Sequence, residues 1–347
     1  MSAPFSKGDF VSFLAPMQDI TDAGFMDIIA GFGAPDFFMA EYFRVHEYFY
    51  LEPSVLEAVL RRPAGRGVVA QFIGEDEYYI ERAIDELARY SQVEMLDLNL
   101  GCPAPKIYKK NVGGGLLRDP KKIESILRVM CERWRGVLSV KMRLGFEDDS
   151  RFFELFRLVC DCGADFVTVH GRTVRQLYRG RADYGRIFEA AESSPVPVIV
   201  NGDVDSSDVA LEIRAKSKCA GVMSGRPAVR NPWIFRQIRE ALDGRKVFEP
   251  TLEDVRVYVE KLRENIEARA AQMKFPDSRL KKFLNFAGTG VDPEGEFLYK
   301  MRRSRGMGEL LKVCDEFLLG ENAAKKFNCA GFANLCARPN HEADLRN

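Results

Sequence analysis

Between Phe10 and about Arg239 the chain alternates between two hydrophobic periods. Short β-branched or aromatic runs predict strands at Val11–Ala15, Asp36–Ala40, Val68–Ile73, Met95–Asn99, Leu138–Arg143, Phe166–His170, Val196–Val200 and Gly221–Met223. Between most of them, apolar positions recur with helical spacing. These stretches predict helices at Ala23–Ala30, Glu75–Ser91, Lys121–Trp134, Arg151–Cys162, Asp183–Glu192 and Ser206–Ala215. Strand and helix in regular alternation predict a parallel sheet with crossover helices. Eight such units in about 230 residues fit an α/β fold of the (β/α)₈ TIM-barrel type, whose usual length is about 250. A doubly wound open sheet has the same alternation, and periodicity does not separate the two.

The residues at the strand ends favour the barrel. Met17, Glu41, Gln71, Asn99 with Cys102, Lys141 with Arg143, His170, Asn201-Gly202-Asp203 and Ser224-Gly225-Arg226 all stand at C-terminal strand ends. In a barrel those ends converge on one face, the face that carries active sites. In an open sheet they would be spread along an edge.

Past Arg239 the strand signal fades. Glu253–Ala271 reads as an amphipathic helix capped by Thr251, with Asp254 at the capping-box position. Further helical runs are Ser278–Ala287, Glu296–Ser304, Met307–Leu318 and Ala323–Ala333. The pattern predicts a barrel domain over residues 1–243 and a small all-helical domain over 244–347, with a frayed polar tail at Ala337–Asn347.

Composition narrows the classes. Lys+Arg and Asp+Glu both number 51, so any nucleic-acid contact must come from a local basic patch. No apolar run approaches the roughly 20 residues that span a bilayer, and the N-terminus lacks a signal-peptide pattern. The eight cysteines are scattered, without a C-x-x-C pair, and Cys160 and Cys162 are too close for a usual disulfide. Reduced thiols and a cytoplasmic location are expected. Three histidines make a metal site unexpected. A monomer is expected.

The chemistry concentrates at the strand ends. Asp97–Gly115 reads D-L-N-L-G-C-P-A-P-K-I-Y-K-K-N-V-G-G-G, a cysteine at a strand end followed by lysines and three glycines. Cys102 between Gly101 and Pro103 is not a core position. With an ordinary pKa near about 8.5 it is protonated at neutral pH, so it can act as a general acid; a nucleophilic role is the alternative. Lys141 inside the apolar strand S-V-K-M-R-L-G is costly unless it meets an anion or snorkels outward. The loops Asn201-Gly202-Asp203 and Ser224-Gly225-Arg226 follow strands seven and eight, where barrels commonly bind phosphate; Asn231-Pro232 then reads as a helix start. Tight turns alone would also explain these glycines. His170 opens H-G-R-T-V-R-Q-L-Y-R-G; Arg172, Arg175, Arg179 and Tyr178 within it, and Arg181 just after it, suit phosphate and base contacts or form a solvated basic loop.

These segments resemble one family. Ala15–Asp22 (A-P-M-x-x-x-T-D), Gln71–Gly74, D-L-N-L-G-C-P with K-K-x-x-G-G-G, V-K-M-R-L-G, V-H-G-R-T-x-x-Q-x-Y-x-G, N-G-D-V and G-x-M-x-G-R-x-x-x-x-N-P-W-x-F are collinear and similar to the flavin-dependent tRNA-dihydrouridine synthases through Phe235. The resemblance implies FMN in the barrel mouth, NADPH (or NADH) as reductant and reduction of the uracil C5–C6 bond in tRNA. It implies Cys102 as proton donor to C5, with hydride passing from flavin N5 to C6. Ala15, Pro16, Met17, Gln71, Lys141, His170, Asn201, Gly202, Asp203, Gly225 and Arg226 would hold the cofactor. Asn99, Arg172, Arg175, Gln176 and Tyr178 would hold the uridine. Two positions depart from the commoner pattern, Ile107-Tyr108 where V-N is usual and Met26 where arginine is usual. They bear on which uridine is chosen, with the Cys102 loop the first place to look.

A stacked uracil is unreachable, so such a substrate must be extruded into the pocket. Arg279, Lys281 and Lys282, then Lys300, Arg302, Arg303 and Arg305, are basic clusters suited to phosphates, or ordinary solvated helix faces. Two rival classes share this sequence logic: a flavin barrel acting on a free pyrimidine, and a non-catalytic RNA-binding barrel.

Overall fold

The computed structural model describes residues 3–269, 271 and 274–330. Eight parallel strands close into a barrel in sequence order: β1 Val11–Leu14, β2 Phe37–Arg44, β3 Gly67–Ile73, β4 Met95–Leu100, β5 Val137–Arg143, β6 Phe166–His170, β7 Val198–Asn201 and β8 Gly221–Ser224. β8 pairs with β1, with Leu14 beside Ser224, so the open-sheet alternative is excluded. Every predicted strand is present to within a few residues; β2 runs on to Arg44, beyond the expected Ala40.

The helices are α1 Ala23–Gly33, α2 Pro53–Leu60, α3 Glu77–Leu87, α4 Pro105–Tyr108, α5 Pro120–Arg133, α6 Phe152–Asp161, α7 Tyr184–Ser193, α8 Ser207–Lys216, α9 Arg226–Arg230, α10 Ile234–Leu242, α11 Leu252–Ala268, α12 Pro276–Ala287, α13 Glu296–Arg303 and α14 Gly306–Leu318. α3 and α5 show how the pattern is spent. Ile80, Ala83, Ile84 and Leu87, and Ile123, Ile126, Leu127 and Met130, form their buried stripes, and the two helices pack side by side. Asp76 caps α3 by accepting from the Tyr78 and Tyr79 amides, and Asp119 caps α5 through Lys122 N.

The barrel interior changes character from bottom to top. Its lower part is apolar: Phe13, Met39, Val69, Met95, Val137, Phe166, Ile199 and Met223 form one cluster. Phe5, from the segment before β1, closes the bottom against Phe13, Phe37 and Phe166, with ring centroids 5.2–5.8 Å apart. Side chains on a strand face alternate with period two. Two residues above this cluster, the same inward positions become Gln71, Asp97, Ser139, Thr168 and Asn201; two above again, Asn99, Lys141 and His170. All but Lys141, which is partly exposed, are buried. The polar end is the C-terminal face.

Among the described residues the chain forms two compact units. The first comprises Met1–Met26, Pro35–Val204 and Glu212–Ser224; the second comprises Asp27–Ala34, Asp205–Leu211 and Gly225–Asn347. The second is helical. Trp233 packs edge-on against Phe32, and Tyr258 donates from Oη to Val229 O at 2.9 Å. Thr251 and Asp254 form the expected capping box on α11. Two sequence expectations change here. Asn231 does not start a helix; it ends α9, and its Nδ2 donates to Gln237 Oε1 (2.7 Å) across the turn before α10. Residues 323–330 do not form the expected helix, because Lys326 bridges antiparallel to Thr251. The rest of that prediction and the tail at Ala337–Asn347 lie outside the described residues. No helix among the described residues is long and apolar enough to cross a membrane.

Candidate active site

The inward polar positions of β3, β4 and β5 form one hydrogen-bonded relay. Ser139 Oγ donates to Asp97 Oδ1 (2.7 Å) and Gln71 Nε2 donates to Asp97 Oδ2 (2.7 Å). Gln71 Oε1 accepts from Asn99 Nδ2 (2.8 Å), and Asn99 Oδ1 accepts from the Gly101 and Cys102 amides (3.0 and 2.9 Å). Asp97 accepts at both oxygens, so Gln71 presents its amide nitrogen toward it. Gln71 then fixes Asn99, and Asn99 fixes the backbone at Cys102. Asp97 was not among the sequence candidates, yet it anchors three that were. Its signal was available: Met95, Asp97 and Asn99 alternate along one strand.

Charge follows from burial. Burial pushes the Asp97 carboxyl up to about 7, opposed by its bonds to Ser139 and Gln71 and by the Lys141 charge. Burial, with Arg143 adding repulsion, pushes Lys141 down to about 8, and Asp97 pulls it back up. Among the described residues Lys141 Nζ makes no hydrogen bond, so a cation with unspent donors faces the mouth. Burial also pushes the Cys102 thiol up, so it holds its proton at neutral pH.

Arg143 joins two loops. Its guanidinium is buried and donates to Gly101 O (2.9 Å), Thr173 O (2.8 Å) and Leu177 O (2.7 Å), and lies 5.5 Å from the Tyr178 ring centroid. The glycine run after Cys102 is not an open anion cradle but a buried floor. A Cβ on Gly114 would stand 2.5 Å from Val174 Cγ2 and 2.9 Å from Cys102 O, and Gly113 has φ +57° beside Cys102 Cβ. Lys106, Lys109 and Lys110 are exposed beyond it.

The remaining candidates divide into those at the mouth and those that hold it together. Ala15, Pro16 and Met17 end β1 in a turn where Thr21 Oγ1 donates to Ala15 O (3.0 Å) and accepts from Met17 N (3.0 Å). His170 is buried at the end of β6 beside Gly202, whose φ is +104°. Asn201 Nδ2 donates to Met223 O at 2.8 Å. Arg172, expected to face a substrate, is instead fully buried: it donates to Arg179 O and Gly180 O and forks onto the Asp203 carboxylate at 2.6 and 2.9 Å. Asp203 also accepts from Ala182 N (2.8 Å), so this pair fastens the loop after β6. Arg175 pairs with Glu147 at the surface, Gln176 Oε1 accepts from Thr173 N, and Tyr178 is exposed. Gly225 and Arg226 follow β8 directly and open α9, in the second unit.

The basic residues of the second unit are partly spent. Lys281 Nζ donates to Ser304 O (2.6 Å), Arg302 Nε donates to Asn285 Oδ1 (2.8 Å), and Lys300 pairs with Glu296 and Glu316. Arg303 and Arg305 are exposed.

The dihydrouridine synthase (Dus) family model matches residues 13–317. The tRNA-dihydrouridine(16) synthase of Neisseria meningitidis is 30% identical over 312 residues, covering 88% of this chain and 93% of that protein. The tRNA-dihydrouridine synthase B of Pasteurella multocida is 31% identical over 250 residues, 70% of this chain and 73% of that one. Among solved structures, histamine dehydrogenase from Rhizobium sp. 4-9 shares the barrel with a TM-score of 0.52 at 11% identity, covering 68% of this chain and 46% of that chain.

Proposed function

The chain belongs to the dihydrouridine synthase family, and on that footing we propose that it reduces the C5–C6 double bond of specific uridines in tRNA, with bound FMN, NADPH as reductant and Cys102 as the proton source. The observation that carries this reading is the placement of Cys102 at the end of β4, its backbone amide held by the Asp97–Gln71–Asn99 relay, with Lys141 two residues above Ser139 on the inward face of β5.

A flavin fits the residues present. Lys141 suits an anionic ring, Gln71, Ala15, Pro16 and Met17 would flank it, and His170, Asn201 and Gly202 would serve its phosphate end. When bound, the flavin supplies the hydride that adds at C6. Asn99 and Tyr178 would orient an extruded uracil, while Arg143 ties the Cys102 loop to the loop that carries Tyr178; Gln176 and Arg175 lie farther out along the same loop. Extrusion removes the base from its stack, at a cost of a few kcal/mol that an unpaired loop nucleotide largely avoids. Cys102 then delivers its proton to C5: the S–H bond breaks, the C5–H bond forms, and sulfur is left as thiolate until solvent reprotonates it. Arg172 and Asp203 act at one remove, by holding the loop that carries Tyr178.

The test is Cys102→Ala. Flavin reduction by NADPH should persist, and dihydrouridine formation in transcript tRNA should be lost. Full product formation in the variant would remove the proton-donor role, and reduction of free uracil or orotate as fast as tRNA would remove the RNA substrate.

A further inference from the structure

The chain leaves the barrel at Cys102 and comes back to it at Gly114. Gly114 N donates to Cys102 O at 3.2 Å, so the residues between them form a compact loop whose ends close beside the thiol. Loops of this build are packed by their own side chains. Here Ile107 and Tyr108, at the end of α4, are half-buried. A Cβ on Gly113 would stand 3.1 Å from Ile107 Cγ2, and the Tyr108 ring packs edge-on against Phe146 with centroids 5.5 Å apart. Arg118 braces the loop from its far side. It donates to Gly115 O (3.1 Å), Tyr108 O (2.9 Å) and Asn111 Oδ1 (3.1 Å), and its guanidinium lies 4.3 Å from the Phe146 centroid.

What the loop leaves outside is charge. Lys106, Lys109 and Lys110 are exposed, and among the described residues none of the three side chains makes a hydrogen bond or an ion pair. By contrast, Lys122, Lys216, Lys218 and Lys300 are each paired with a glutamate. Between Asp97 and Asp119 the sequence has no acidic residue to set against these lysines and Arg118. Glu147, next to Phe146, is taken by Arg175 at 3.1 Å. In a chain of zero formal net charge this is a local basic patch, and it is complementary to a polyanion. Lys106 is four residues beyond Cys102, so their Cα atoms are at most about 14 Å apart.

We propose that this loop grips the RNA backbone: Lys106, Lys109 and Lys110 hold the phosphodiesters that flank the extruded uridine, and the bracing by Tyr108 and Arg118 keeps them at a fixed reach from Cys102. This rests on the RNA-substrate reading of the site. Phosphate contacts carry no sequence information, but they fix where a strand sits. The loop thereby sets the register in which a nucleotide is offered to Cys102.

The experiment is equilibrium binding of transcript tRNA to the full-length protein, by fluorescence anisotropy, over a range of salt concentrations. One variant combines Lys106→Gln, Lys109→Gln and Lys110→Gln. Each phosphate contact adds about 0.7–0.9 to the slope of log affinity against log salt, so losing three should lower the slope by about two to three. Affinity at about 0.1 M salt should fall by roughly tenfold to a hundredfold. A control combines Arg214→Gln, Lys216→Gln and Lys218→Gln, at and just past the end of α8 and before β8. It makes the same change in net charge at the opposite end of the barrel, and should leave the slope nearly unchanged. NADPH also carries phosphates, and its KM should not change in the loop variant. A slope and affinity equal to the parent's overturn the inference. An equal loss in the control overturns it too, because the effect is then one of net charge. So does a raised KM for NADPH with tRNA binding intact, which gives the loop to the reductant. If the parent protein binds tRNA but makes no dihydrouridine, the functional reading fails while the salt slopes still decide the role of the loop; a parent protein that binds no tRNA removes both.

Discussion

Replacing Asp97 by asparagine should make the protein more stable at neutral pH and less able to hold its cofactor. Asp97 is fully buried, and burial lifts its carboxyl to about 7. The unfolded value is about 3.9. Between those two values the folded chain binds more protons than the unfolded chain, so the Asp97 contribution to stability falls as pH rises from about 4 to 7. Three pH units at about 1.4 kcal/mol each bound the loss at roughly 4 kcal/mol. Asparagine is nearly the same shape and carries no such penalty. Its Oδ1 can accept from Gln71 Nε2, and its Nδ2 can donate to Ser139 Oγ, whose proton is free to rotate. The relay to Cys102 is kept. The counter-charge to Lys141 is lost, so the lysine is pushed further below its present value of about 8 and gives up charge at neutral pH. The assay is thermal unfolding of both proteins from pH 4.5 to 7.5, with flavin affinity measured at pH 7. The stability difference should move steadily toward the variant as pH rises, and its flavin affinity should fall. A difference that is flat in pH, or that moves toward the native protein, would refute the account of Asp97 as a buried acid paying for the charge of Lys141.

Arg172→Gln should loosen the loop after β6. It takes the cation from the Asp203 carboxylate, which keeps only the Ala182 amide, and the donor from two carbonyls, at a cost of about 3 kcal/mol, and limited proteolysis should cut near residues 175–181 first; an unchanged cleavage pattern would count against the pair as the fastener. Gly114→Ala should destabilise by about 1–3 kcal/mol, because its Cβ meets Val174 and the Cys102 carbonyl. Val174→Ala should recover part of that loss in thermal unfolding, and no recovery would place the strain at the Cys102 backbone alone.

The barrel was legible because its strands are short, β-branched and evenly spaced, and because special residues stand at their ends. α2 was missed: it is only eight residues long, between Pro53 and Leu60, and its buried residues are only Val55, Ala58 and Val59. The site was legible in part. Gln71, Asn99, Lys141 and His170 stand where alternation along each strand puts them, and Cys102 stands just past the end of β4. Asp97 was just as readable from that alternation but is masked by the apolar residues beside it. The register shift after Met39, which sets Tyr42 and not Glu41 opposite Gln71, was not readable, because it is a relation between two strands, and period-two alternation in β2 alone puts Glu41 inward. Arg172 misled for a related reason. In sequence it is one of several arginines in a polar loop, and only the fold brings Asp203 to it. The glycines after Cys102 serve close packing, which only the folded arrangement of Val174, Ile73 and Cys102 around them reveals.

Phe5 gives the barrel a stopper. It belongs to no βα unit, yet it fills the space among Phe13, Phe37 and Phe166 that the strands leave at their lower ends. The barrel interior is already filled by its own inward side chains, and Phe5 adds a last apolar layer beneath them, made from chain that precedes the first strand. Engineering at that end acts on the barrel's integrity and not on its chemistry. A cut or fusion that pulls residues 3–9 away would bare a ring of phenylalanines to water while every group at the rim stayed in place.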